Sequence, residues 1–197
     1  QKGFTLIEML IAMAIFITFT GILISSYASI VRSQREANDY RLMYSEARGV
    51  FESLTAELRE GMVDYGNYGG GIPTGGLNEI YLVSKDDQIR THIKYDEALG
   101  VVSVSKRVRD KIARVYSGFG EARDLNSSDV KVTKLKFYVS PVIDPYDPQY
   151  VENDLNQFHP KVTIYAEFER TLKSGKTYTT FLQTTVSSRI YNQVYLP

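Results

Sequence analysis

The stretch of residues 4–31 reads FTLIEMLIAMAIFITFTGILISSYASIV. Twenty of its 28 residues are apolar; the others are Thr5, Glu8, Thr18, Thr20, Gly21, Ser25, Ser26 and Ser29. Glu8 is its only charge, from a chain with 23 acidic and 23 basic residues. At about 1.5 Å per residue such a helix rises roughly 42 Å, more than the ~30 Å hydrocarbon core of a bilayer. No proline interrupts it, and Gly21 is the one glycine that would permit a bend. A secretory signal has a shorter apolar core followed by a small-residue cleavage site. Here the apolar run passes directly into a charged stretch, so a retained membrane helix is expected, not a removed signal peptide.

The flanks suggest an orientation. Lys2 precedes the run, while Arg32 and Arg35 follow it. Basic residues favour the cytoplasmic side. Lys2 therefore points the N-terminus inward and the polar remainder outward, an argument that Arg32 and Arg35 oppose. Position 1 is glutamine, so the natural start is expected upstream. The remainder is polar and tyrosine-rich: 14 of the 15 tyrosines follow Tyr27. The chain's 197 residues suffice for one domain plus an accessory element. Zero net charge argues against a dedicated nucleic-acid binder, and no nucleic-acid partner is expected. Cysteine is absent, which excludes disulfide scaffolds, cysteine nucleophiles and thiolate metal sites.

Glu8 is the anomaly in the apolar run. An acidic side chain costs on the order of 3 kcal/mol at mid-membrane and less near an interface. Either Glu8 sits at the interface and favours the helix N-terminus through the dipole, or it meets a positive partner inside the membrane. The run Lys2-Gly3-Phe4-Thr5-Leu6-Ile7-Glu8-Met9-Leu10 resembles the type III signal of type IV pilins and of the pseudopilins of type II secretion. That resemblance implies a prepilin peptidase that cuts between Gly3 and Phe4 and methylates the new N-terminal Phe4. Residues 1–3 would then be the remnant of a leader, and Glu8 the fifth mature residue. The role the family implies for Glu8 is to neutralise the N-terminal amine of a neighbouring subunit, and charges in hydrocarbon are tolerated only when paired. The implied partners are other pilin or pseudopilin subunits, the peptidase, an inner-membrane assembly platform and membrane lipid. The implied location is the bacterial cytoplasmic membrane, single pass, and then a filament.

Beyond the membrane segment the apolar spacing stays helical. Ala37, Tyr40, Met43, Tyr44, Ala47, Val50, Phe51, Leu54 and Leu58 recur at three or four residues. Arginines and acidic residues fill the opposite face in near balance, as on a solvated helix. The glycine-rich run from Tyr65 to Gly76 lacks a Gly-Lys-Ser/Thr and a following helix, so it reads as a flexible connector and not as a phosphate loop. Alternation of period two follows. Ile80 and Leu82 start a strand. Ile89, Thr91, Ile93 and Tyr95 oppose Arg90, His92 and Lys94, and Val101–Val104 is a short apolar strand. Between Val130 and Val139 the apolar set moves from even to odd positions, which predicts a bulge near Thr133. Val162, Ile164, Ala166 and Phe168 alternate cleanly. Lys173-Ser174-Gly175-Lys176 reads as a hairpin turn before a strand with Tyr178, Leu182, Val186 and Ile190 on one side. The prediction is an α+β chain of pilin-like layout. A long helix has a transmembrane half at 4–31 and an amphipathic half at 32–62. A Gly-rich connector at 63–76 leads to an extracytoplasmic antiparallel β-rich domain at 77–197, in two sheets or one bent sheet, on which the amphipathic half packs.

No catalytic constellation stands out. His92 shares a strand face with Arg90 and Lys94 and reads as a solvated surface residue; His159 precedes Pro160 at a loop end. No ligand spacing joins them into a metal site. Asp144, Asp147, Glu152 and Asp154 share one loop between strands, and clustered oxygen ligands suit calcium. Their spacing is not that of an EF-hand, so a solvated acidic loop is the plainer reading. No other cofactor is expected. Lys106, Arg107, Arg109, Lys111 and Arg114 form a basic run without interleaved aromatics, which reads as a solvated connection between strands.

These features point to a filament subunit, not an enzyme. Glu8-Met9-Leu10-Ile11-Ala12-Met13-Ala14-Ile15-Phe16 and Phe51-Glu52-Ser53-Leu54-Thr55-Ala56-Glu57-Leu58-Arg59 resemble the J-type minor pseudopilins of type II secretion. The W-type minor pilins of type IV pili are next in similarity. The retained Glu8 departs from the K-type minor pseudopilin. The competing class is a signal-anchored membrane protein with an extracytoplasmic β binding domain, for which no cut after Gly3 is expected.

Overall fold

The computed structural model describes residues 3–69, 71–110, 112, 115–145, 159–172 and 175–188. The layout is one long helix followed by antiparallel strands, an α+β arrangement that fits a pilin-like fold. Helix α1 runs over Leu6–Glu60 without interruption. The chain divides into two compact units, residues 1–42 and 43–197.

Over residues 4–31, within the first unit, the helix is largely apolar on every side, and its large side chains from Phe4 to Ile30 are exposed. A helix apolar all round is suited to lipid or to other helices, not to water. It is long and apolar enough to cross a membrane. Its few hydroxyls need no external partner where they bond the preceding turn, as Thr18 Oγ1 does by donating to the Ala14 carbonyl.

In the second unit the helix buries Met43, Ala47, Val50, Phe51, Leu54 and Leu58, spaced by three or four residues. The stripe begins later than the sequence spacing predicts, at Met43: Ala37 and Tyr40 stay exposed, as does Tyr44. The helix ends at Glu60, two residues before the expected end. Gly61 then passes close to Leu82, and a Cβ there would lie 2.9 Å from that of Leu82.

Two sheets complete this unit. The first has five antiparallel strands in the order β1 (Met62–Val63), β2 (Glu79–Val83), β3 (Ile89–Asp96), β4 (Val101–Val108) and β5 (Arg123–Asp124). The second has three, β6 (Lys131–Ser140), β7 (Lys161–Thr171) and β8 (Thr177–Ser187). Their alternate inward residues and the helix stripe form one apolar core. Ile80, Leu82, Ile93 and Val102 come from the first sheet, and Leu135, Phe137, Ile164 and Phe168 from the second. Phe51 tilts against Phe168 with ring centres 6.1 Å apart. Lys106 Nζ on β4 meets Glu57 on the helix at 2.8 Å.

The predicted bulge is present: the β6–β7 register shifts between Val132 and Lys134, leaving Thr133 as the extra residue. The β7–β8 hairpin also forms, with Thr171 opposite Thr177 and Gly175 at φ +81°. Tyr178, Leu182 and Val186 share the inward side of β8; Lys173, Ser174 and Ile190 lie outside the described residues.

The expected flexible connector is anchored instead. Val63 is buried in β1, and Tyr65–Tyr68 form a 3-10 turn. Tyr65 Oη donates to the Pro141 carbonyl at 2.8 Å, and the Tyr81 amide donates to Tyr68 Oη at 3.1 Å. Ile72 is buried, and its N–H reaches the Val142 carbonyl at 2.8 Å. The glycines between these residues concealed that Tyr65, Tyr68 and Ile72 carry enough apolar surface to dock. Gly76, at φ +81°, passes under Tyr138, where a Cβ would meet the ring at 2.8 Å.

Asn126, which no sequence pattern marks, is buried between the sheets' connections. It accepts from the Val102 amide at 2.9 Å and donates to the Gly100 and Val130 carbonyls at 3.0 and 2.8 Å. These bonds satisfy backbone groups where β4 and β6 begin, outside either ladder.

Leu54→Ala is expected to destabilise the chain by about 2–5 kcal/mol, since Leu54 is fully buried; urea unfolding measures it. Burial pushes the Tyr68 phenol up to about 12 from an ordinary value of 10.0. Its contribution is complete below the unfolded value and lost as pH rises through the folded one. Tyr68→Phe is therefore expected to flatten the alkaline fall in stability between those two values, read from unfolding curves at stepped pH.

Candidate assembly site

The sequence-predicted site residues lie where the helix begins. Gly3, Phe4 and Thr5 precede α1 in irregular backbone, and Phe4 is 85% exposed. Thr5 stands at the N-cap and Glu8 three residues on. The Glu8 carboxylate accepts from the Thr5 amide and from Thr5 Oγ1, both at 2.9 Å, while Thr5 Oγ1 accepts from the Glu8 amide at 3.3 Å. This reciprocal pair is a capping box, which satisfies helix-start amides that have no partner within the helix. It holds the negative charge at the positive end of the helix dipole. The Gly3–Phe4 bond lies outside the helix, in irregular backbone. The carboxylate stays exposed, so a positive group from outside the chain can reach it.

The other candidates separate. Asp144 lies just beyond β6, whereas Asp147, Glu152 and Asp154 fall outside the described residues. Among the described residues no group of three or more His, Asp or Glu side chains could hold a metal. His159 lies two residues before β7, ahead of Pro160.

His92 is not the solvated residue that the alternation suggests. Its side chain is only 16% exposed. Its ring stacks on Tyr81 at 4.3 Å and 2°, Phe119 tilts over it at 5.5 Å, and Nε2 lies 2.9 Å from Glu79 Oε2. The basic run differs from expectation too. Lys106 and Arg107 belong to β4, which continues four residues past the predicted end, and Arg109 bridges Tyr116. Lys111 and Arg114 lie outside the described residues. The reason is the same in both cases. Residues 115–120 turn back along β4, with Ser117 N–H donating to the Val108 carbonyl at 3.0 Å and Gly120 N–H to that of Lys106 at 2.9 Å. This strap carries Tyr116 and Phe119 onto the outer face of the first sheet. The guanidinium groups of Arg90, Arg107 and Arg109 lie 4.5, 5.1 and 5.6 Å from the Tyr116 ring, and Arg107 lies 4.6 Å from Phe119. Asp64 pairs with Arg90 at 3.0 Å. Burial pushes the Asp64 carboxyl up, and the Arg90 charge draws it back. Tyr116 Oη donates to the Asp87 carbonyl at 2.7 Å and also to its carboxylate. The cluster forms a polar-aromatic layer on this face.

Removing Phe119 takes away the ring that spans Arg107 and His92. Phe119→Ala is expected to speed amide exchange over residues 115–120 and to change global stability by only about 1 kcal/mol, the scale of cation–π contacts. Hydrogen exchange mapped by mass spectrometry resolves the two effects.

Comparison with known proteins agrees with the helix start. Residues 1–24 match the family model described as the prokaryotic N-terminal methylation motif. No curated protein and no solved structure matches the chain. The motif is the signature of type IV pilin and pseudopilin precursors and implies processing by prepilin peptidase and assembly with other pilin subunits. With its apolar helix, the chain has the marks of a membrane-anchored, filament-assembled precursor of the pilin or pseudopilin kind.

Proposed function

We propose that the chain is a minor subunit of a type II secretion or type IV pilus filament, with a structural role and no catalytic one. The observation that carries this reading is the methylation motif over residues 1–24, with Glu8 held at the start of an uninterrupted helix. Cleavage falls between Gly3 and Phe4, and Phe4 becomes the methylated N-terminus. The apolar half of α1 waits in the cytoplasmic membrane, N-terminus inward. It then packs with equivalent helices of other subunits, where buried apolar area favours association. During entry Glu8 gives up part of its bonding to Thr5 and neutralises the neighbouring subunit's N-terminal amine. The capping box supports this reading because it keeps the charge satisfied until that amine arrives. Among minor subunits the J-type pseudopilin is the closer fit on residues 8–16 and 51–59, and the W-type minor pilin the next.

The test begins with mass spectrometry of the chain extracted from its own membrane. The expected N-terminus is N-methylated Phe4; a chain retaining Lys2 and Gly3 would point to a signal-anchored binding protein. Glu8→Ala is expected to insert in the membrane normally and to fall at least tenfold in filament fractions, a loss of about 1.4 kcal/mol or more in the incorporation equilibrium. Incorporation at the normal level would exclude the charge-pairing role.

A further inference from the structure

We propose that the outer face of the second sheet is a binding platform for a neutral, linear, β-linked sugar chain, with Tyr138, Tyr165 and Phe181 stacking on its rings. The site is independent of the filament reading and belongs to the second unit alone.

The three aromatic residues lie on one straight line. Across this face Tyr138 of β6 pairs with Thr163 of β7, and Thr163 with Thr185 of β8. In the next row Lys136 pairs with Tyr165, and Tyr165 with Gln183; in the row after, Lys134 pairs with Glu167, and Glu167 with Phe181. Each step from Tyr138 to Tyr165 to Phe181 therefore moves one strand across and two residues along. Such a diagonal step is about 7–8 Å, so the line is roughly 15 Å long, the span of a short oligosaccharide. Phe181 is 71% exposed, Tyr138 is 43% exposed and Tyr165 is half-buried. A single exposed ring needs no explanation, but three in one diagonal make an organised apolar track.

The track is held from behind. Phe137, Ile164, Ala166 and Phe168, which alternate with the outward residues of β6 and β7, are fully buried, so the core fixes the backbone under the rings. Tyr138 rests against Gly76, where a Cβ would meet the ring at 2.8 Å. Lys134 Nζ lies 5.6 Å from the centre of the Tyr165 ring. Rings already held in place lose little freedom when a ligand arrives.

Charge complementarity selects the occupant. Lys131 stands opposite Glu169 and Lys134 opposite Glu167, so cations and carboxylates alternate beside the track and offset each other. A nucleic-acid strand would bring its phosphates against Glu167 and Glu169, which repel them. An apolar protein surface would take the same charges out of water at a cost. A neutral sugar chain meets both demands. Its hydroxyls donate to Glu167 and accept from Lys134 and Lys136, and hydrogen bonds to charged groups are the stronger class. Where those hydroxyls are equatorial, the C–H faces of each sugar ring are apolar and cover an aromatic ring, whose face is its negative side. Gln183 and the Thr163–Thr185 pair, whose hydroxyls lie 2.9 Å apart, add neutral donors and acceptors beside the rings.

The experiment is isothermal titration calorimetry on the full chain in lipid nanodiscs, with empty nanodiscs as blank. The probes are cellohexaose and N-acetylchitohexaose, with a single-stranded oligothymidine as the competing polymer. At least one of the two sugars is expected to bind with a Kd of about 0.1–1 mM, and the oligothymidine more weakly. Phe181→Ala and Tyr165→Ala are each expected to weaken sugar binding about fivefold to tenfold, the scale of one aromatic contact, while Phe181→Tyr retains it. Because the Phe181 ring is exposed, the melting temperature of Phe181→Ala is expected to match that of the native chain, which separates loss of the site from loss of the fold. No binding of either sugar at millimolar concentration, undiminished binding in Phe181→Ala and Tyr165→Ala, or oligothymidine binding as tight as that of the sugars would each overturn the proposal.

Discussion

Burial of one helical stripe is the constraint on which the second unit depends. Met43, Ala47, Val50, Phe51, Leu54 and Leu58 lie on one side of α1 and enter the same core as the inward rows of both sheets. Neither sheet could bury its apolar face alone: among the described residues the first has two-residue strands at both edges, and the second has three strands. The stripe gives the two sheets a common surface, and the Phe51–Phe168 contact and the Lys106–Glu57 pair fix where each meets the helix. The connections then follow the same need. The connector after α1 docks through Tyr65, Tyr68 and Ile72, and Asn126 supplies hydrogen bonds that the ladders cannot reach.

The two parts of α1 solve opposite problems. Over residues 4–31 most side chains suit an apolar surrounding, so the polar exceptions must be satisfied locally. Thr18 bonds its own helix, and Thr5 and Glu8 bond each other. A carboxylate in that setting is costly unless paired, and the capping box provides a partner within the chain. The same geometry leaves the charge at the helix end, where an external amine can compete for it.

The outer face of the first sheet shows that a face turned from the core need not be solvated. Arg90, Arg107 and Arg109 surround the Tyr116 ring, and His92 fills the space between Tyr81 and Phe119. Such a layer is held by ring–cation contacts and ion pairs, whose strength depends on charge state. Apolar burial does not.

Much of this was legible in the chain itself. The apolar run of residues 4–31 and the Gly3–Phe4–Glu8 spacing mark the helix and the pilin-like start, because hydrophobic length and local capping are properties of neighbouring residues. The same holds for the bulge at Thr133 and the β7–β8 hairpin, where a period of two and one glycine suffice. What lies at a distance in sequence was not legible. Period-two alternation assigns His92 to the outer face but cannot say that residues 115–120 will return to cover it. Nothing near Asn126 announces that the backbone groups of Val102 and Gly100, 24 and 26 residues away, require its amide. The glycine-rich connector looked free because its docking partners, Pro141 and Val142, lie more than 60 residues away. Local pattern determined the elements and their faces; only the tertiary structure decided which polar faces were covered, because that depends on where unpatterned segments find partners.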